Sequence, residues 1–84
     1  MEDLNNRYNR LVEKEDQLLE ELETIETYVD GMLSYTHKEG DRFQMTMIEG
    51  ILNAVFALES DRRQHLLHVR FEKAMLSCRL QKQV

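Results

Sequence analysis

A seven-residue repeat governs the first half of the chain. Leu4, Leu11, Leu18, Ile25 and Met32 recur at intervals of seven, and Tyr8, Glu15, Leu22 and Val29 each follow one of them by four. Alternation by four and three keeps these side chains on a single stripe of an α-helix, the a/d seam of a coiled coil. The stripe is uncharged except at Glu15. The repeat predicts one helix from about Glu2 to about Tyr35, a rod of roughly 50 Å at ~1.5 Å per residue.

The repeat stops at Thr36 to Asp41, where the turn is expected. Gly40 can adopt the left-handed conformation that ends helices. Asp41 is a suitable N-cap for a following helix. The chain has no proline and only three glycines, so few turns can be built and the elements must be long. A second helix is expected from about Arg42 to about Lys82. Its seam reads Ile48, Ile51, Val55, Leu58, Arg62, His65, Val69, Glu72 and Leu76. A short connection makes the two helices antiparallel neighbours. The expected fold is therefore all-α, a coiled-coil-like antiparallel two-helix hairpin that fills all 84 residues as one domain.

Folding the chain at residue 40 makes paired residue numbers sum to about 80. Met32 then meets Ile48, Val29 meets Ile51, Ile25 meets Val55 and Leu22 meets Leu58. Leu11 meets Val69 and Leu4 meets Leu76. Glu15 falls opposite His65, one turn from Arg62. These three residues are expected to form a polar layer that fixes register at a cost in stability. Gly31 and Gly50 also sum to about 80 and are expected to lie near each other.

Charge is divided along the chain. Residues 1–37 hold ten acids and three bases, whereas residues 62–84 hold six bases and one acid. Hairpin closure lays the acidic helix beside the basic end, and mutual neutralisation is the simplest reading of that basic stretch. The alternative is that Arg62, Arg63, Arg70, Lys73, Arg79 and Lys82, with Phe71 nearby, meet nucleic-acid phosphates. The overall net charge of −5 argues against that alternative.

Catalytic signatures are missing. There is no Gly-rich phosphate loop, no nucleophile motif and no zinc spacing, and a solid two-helix hairpin is expected to offer no concave pocket to hold a substrate. His65, His68 and Glu72 share a helix face and have the residue types of a metal site. Only Glu15 could join them from the first helix, and Cys78 lies too far along the rod. A register-setting or solvated His pair is the preferred reading, so no enzyme activity, metal or cofactor is expected. The single cysteine fits a reducing compartment. The opening MEDLNNRYNR has no apolar signal region, and no apolar run approaches the ~18 residues of a membrane span. The expected location is cytoplasmic, with export without a cleaved signal as the alternative.

The seams do not use all the apolar residues. Val12, Leu19 and Leu33 lie off the first seam, and Met47, Ala54, Phe56, Leu67, Phe71, Met75 and Cys78 lie off the second. A lone hairpin needs one stripe per helix. A second stripe stays wet unless something covers it, and such patches mark interaction surfaces. The residues expected to touch a partner are Phe56, Leu67, Phe71, Met75, Leu19 and Leu33.

In its length, hairpin shape and surplus apolar surface the chain resembles small accessory proteins of bacterial secretion. One group is the short hairpin co-chaperones of type III secretion, which guard needle subunits. The other is the WXG-like proteins of type VII secretion. The Trp-x-Gly turn of the second group is absent, and Lys38-Glu39-Gly40-Asp41 stands there instead. That group's Tyr-x-x-x-Asp/Glu signal follows the second helix, whereas here Tyr35 and Glu39 match it only at the turn. The resemblance implies an escort or adaptor that covers an amphipathic helix of a partner protein. The alternatives are a structural homodimer forming a four-helix bundle and the nucleic-acid role above.

Overall fold

The computed structural model describes Asp3 to Lys82. Helix α1 spans Leu4–Glu39, a single 3-10 turn spans Gly40–Arg42, and helix α2 spans Met45–Lys82. The two helices lie antiparallel in a rod measuring 63 × 19 × 16 Å. Among the described residues there is no strand. The fold is the all-α hairpin that the heptads require. Met1 and Glu2, where the expected start of the first helix falls, lie outside the described residues.

Asp3 caps α1, its carboxylate accepting from the Asn5 backbone N–H at 3.2 Å. The helix runs four residues beyond its expected end, because Thr36 does not break it. The Thr36 hydroxyl donates to the Met32 carbonyl at 2.8 Å instead, and the Gly40 N–H donates to the Thr36 carbonyl. Gly40 is right-handed, with φ −60°, so the expected left-handed stop does not occur. Its missing side chain matters for space, since a Cβ there would sit 3.1 Å from the Thr36 γ-methyl. Asp41 lies inside the 3-10 turn and does not cap α2. Phe43 is extended, and the Gln44 carbonyl accepts from Met47 and Ile48 to open α2.

The turn falls later in the chain than expected, and this changes the register. The Glu15–Lys73 and Glu26–Arg63 ion pairs, with the cluster of Leu18, Leu22, Leu66 and Val69, make paired numbers sum to about 88. The expected value of about 80 is corrected by one heptad. The α1 seam is as expected, with all nine positions buried or half-buried. The α2 seam keeps one expected track: Ile48, Val55, Arg62, Val69 and Leu76 all face inward. Its second track is Leu52, Glu59, Leu66, Lys73 and Leu80, each four residues after a member of the first. Ile51, Leu58 and His65, expected in the seam, are exposed. Glu72 flanks the seam and is half-buried. Gly31 and Gly50 each face open space, so neither marks a close approach of the helices.

The core is concentrated away from the turn. Leu18, Leu22, Leu66, Val69 and Leu76 are its buried hydrophobic residues, Leu18 with only 1% of its surface exposed, and Leu11 packs against them. Between Ile25 and Val55, going through the turn, Gly40 alone is buried among the described residues.

Candidate interaction surface

The half of the rod nearest the turn has apolar residues on a flank as well as in the seam. On α1, Tyr28 and Tyr35 are seven residues apart, and on α2, Ile51 and Leu58 are seven apart, so each pair lies along one edge. In the observed register these two edges face each other across the same side of the hairpin. Between them lies a groove of about 340 Å³, lined by Met32, Tyr35, Thr36, Phe43, Gln44, Met47, Ile48, Ile51 and Leu52. Tyr28 and Gly31 continue it along α1. At the turn the Tyr35 and Phe43 rings pack with centroids 5.9 Å apart, and the Arg42 guanidinium lies 5.7 Å from the Phe43 centroid.

Among the described residues, no charged side chain lines this groove. Residues 27–36 contain one charged residue, Asp30, and residues 43–58 contain one, Glu49. Tyr28, Tyr35, Phe43, Met47, Ile51 and Leu58 are all exposed. A patch of this kind exceeds the scattered apolar residues normal on a protein surface.

The six residues expected to touch a partner are all exposed, but they do not form one surface. Leu67, Phe71 and Met75 run along the outward side of α2 near the open end. Phe71 and Met75 edge a hollow with Arg7, Glu72, Leu76 and Arg79. Leu19, Leu33 and Phe56 belong to the flank opposite the groove, where the register brings Leu33 level with Phe56. The groove itself combines Met47, already off the expected seam, with residues that the sequence reading placed elsewhere. By sequence Ile51 and Leu58 belong to the seam, Tyr35 stands out only as a match to Tyr-x-x-x-Asp/Glu, and nothing singles out Tyr28 or Phe43. The signal that could have found them is the near absence of charge from residue 43 to residue 58.

The open half of the rod is charged and internally paired. Glu15 is the centre of the polar layer, its carboxylate accepting from Arg70 Nε at 2.8 Å and from Lys73 Nζ at 2.6 Å. Lys73 also lies 5.6 Å from the centroid of the Tyr8 ring. The hydrogen bond from Lys73, then that from Arg70, holds the Glu15 carboxyl below its ordinary range. The same carboxylate raises the Lys73 ammonium above its own. The expected polar layer of Glu15, Arg62 and His65 is therefore corrected. Arg62 pairs with Glu21 at 3.5 Å, and His65 is exposed, 3.9 Å from Asp61 on its own helix. The heptad shift explains the change, because it carries His65 past Glu15 and brings Lys73 level with it.

His68 Nε2 lies 2.8 Å from Glu72 Oε1 along the same helix. Among the described residues, no group of three or more His, Cys, Asp or Glu side chains is gathered where it could hold a metal ion. Cys78 is free and exposed. Of the six bases in the second arm, Arg62, Arg63, Arg70 and Lys73 are tied to carboxylates of α1. That is the neutralisation which the charge division implies. No helix is long and apolar enough to cross a membrane among the described residues.

Comparison with known proteins finds no matching family model, no matching curated protein and no matching solved structure.

Proposed function

We propose that this chain is a non-catalytic escort or adaptor that covers an amphipathic helix of a partner protein. The observation that carries the reading is the uncharged apolar groove beside the turn. An amphipathic helix laid along it would place its own apolar stripe between the Tyr28–Tyr35 edge and the Ile51–Leu58 edge. Helix-in-groove recognition uses anchors at i, i+3, i+4 and i+7, and two edges with seven-residue spacing suit that pattern. Met32 and Met47 give the groove adaptable walls, since a methionine side chain repacks at small cost. The charged arms keep the rod in solution while the apolar end is covered.

The role is of the kind served by the small hairpin accessory proteins of bacterial secretion, which the chain resembles in size and shape. Neutralisation of four basic residues of the second arm by α1 leaves the nucleic-acid reading with little support.

The test is protection. An aggregation-prone amphipathic helical peptide is mixed with the chain at increasing ratio, and turbidity is followed. Full suppression near one peptide per groove, lost in Ile51→Glu but kept in Asp30→Asn, is expected. Suppression that survives Ile51→Glu would place the activity outside the groove.

A further inference from the structure

We infer that a second copy of this chain covers the groove when no client is present, forming a two-fold dimer through the turn-end halves alone. The inference rests on the reading of the groove as a helix-covering surface and names one occupant for it.

Three features of the face favour a like partner. The first is charge. Asp30 and Glu49 are the charged residues of segments 27–36 and 43–58 and neither lines the groove, while at the turn Arg42, over the Phe43 ring, is paired with Glu39. Two identical faces can meet without the repulsion that like charges would impose. The second is area. Tyr28, Tyr35, Phe43, Met47, Ile51 and Leu58 keep between 46% and 70% of their surface in water. At ~200 Å² for a large side chain, this amounts to on the order of 650 Å² per copy. A standard interface takes ~800 Å² from each partner, so neighbouring seam atoms need add only a little. The third is the core. The seam residues nearest the turn, Val29, Met32, Ile48, Leu52 and Val55, are half-buried at best, whereas the seam of the open half contains every buried hydrophobic side chain among the described residues. A second pair of helices would supply the layer this end lacks, as in a four-helix bundle.

Charge also sets the orientation. The same flank in the open half carries Arg7, Lys14, Glu21, His65, Glu72 and Arg79. A parallel face-to-face dimer would stack α1 on the partner's α2 along the whole rod and bury these groups between the copies, at the cost of desolvating them. An antiparallel overlap confined to the turn ends leaves them in water, with the arms pointing in opposite directions. The axis then passes close to Tyr35 and Ile51.

Cys78 is exposed and is the chain's single cysteine, so it takes one label per copy. Its distance from Ile51 along α2 is roughly 40 Å at ~1.5 Å per residue, so the antiparallel dimer separates the two labels by roughly 80 Å. A parallel dimer would hold them within about 30 Å, a few helix diameters. The experiment is light scattering of the purified chain at tens of micromolar, followed by energy transfer between donor- and acceptor-labelled Cys78. The expected result is a species of twice the 10.1 kDa chain mass, with negligible transfer. Ile51→Glu should return a helical monomer, and Phe71→Ser should remain a dimer. A monomeric wild-type chain, strong transfer, or a dimer that persists in Ile51→Glu would overturn the inference. A monomer that still protects the amphipathic peptide, with protection lost in Ile51→Glu, would remove the dimer and leave the proposed function standing.

Discussion

Leu66 and Leu58 separate the observed register from the one that heptad counting alone suggests. Leu66 is 7% exposed and belongs to the core cluster, whereas Leu58 is 46% exposed on the groove edge. Truncating a buried leucine to alanine removes methyl and methylene groups worth ~0.8 kcal/mol each and leaves a cavity. For Leu66→Ala the expected loss is about 3 kcal/mol, within the ~2–5 kcal/mol range for such changes. Leu58 already shows nearly half its surface to water and leaves no enclosed void, so Leu58→Ala should cost about 1 kcal/mol. Urea unfolding followed by helix circular dichroism measures both. With a urea slope of ~1.5 kcal/mol/M, Leu66→Ala should lower the midpoint by about 2 M and Leu58→Ala by well under 1 M. Both variants belong in an Ile51→Glu background, so that loss of association does not add to the Leu58 value. Equal losses, or a larger one for Leu58→Ala, would put Leu58 in the seam and refute the register together with the groove built on it.

Gly31→Ala and Gly50→Ala should each stabilise the chain by up to ~1 kcal/mol, since both glycines are helical and a Cβ at either meets only open space; a fall in the unfolding midpoint would show hidden contacts. Glu15→Gln should destabilise the hairpin and flatten its acid limb. The Glu15 contribution is complete above the ordinary carboxyl range and is lost as pH falls through its lowered folded-state value. The Lys73 contribution is complete below the ordinary lysine range and is lost as pH rises through its raised value. A stability profile between pH 2 and 7 that is unchanged in Glu15→Gln would contradict this. Phe71→Ser removes a side chain that is 61% exposed, so helicity and midpoint should barely move; unfolding of that variant would make Phe71 part of the core. Leu22→Asp places an unpaired charge in the buried cluster and should unfold the chain, and near-normal melting would deny that cluster its role.

The architecture was legible because it depends on periodicity. Nine seam positions of α1 repeat without interruption, and no proline breaks either helix. The register was not legible, because it depends on where in the chain the turn falls. Gly40 looked like a left-handed stop, yet Thr36 carries α1 through to Glu39 and the chain leaves by a 3-10 turn. In α2 two second tracks compete around the same first track. One reads Ile51, Leu58, His65 and Glu72, and the other Leu52, Glu59, Leu66, Lys73 and Leu80. Apolar content separates them poorly. Lys73 decides for the second, because with Arg70 it satisfies the one carboxylate of the α1 seam. Choosing the other track places Ile51 and Leu58 inside, and the groove they edge then disappears from view. The surplus of apolar residues was legible as a count, but their division among three surfaces depends on the register.

The claim that an amphipathic helix docks in the turn-end groove is tested most directly by nuclear magnetic resonance. The chain has no tryptophan, so the emission of a leucine-rich amphipathic peptide carrying one Trp reports binding without interference, while amide and methyl shifts report its place. Saturable binding, with the largest shifts at Tyr28, Tyr35, Met47 and Ile51 and little change at Leu67, Phe71 and Met75, is the predicted result. Shifts centred on Leu67 and Phe71, or no saturable binding at all, would contradict it.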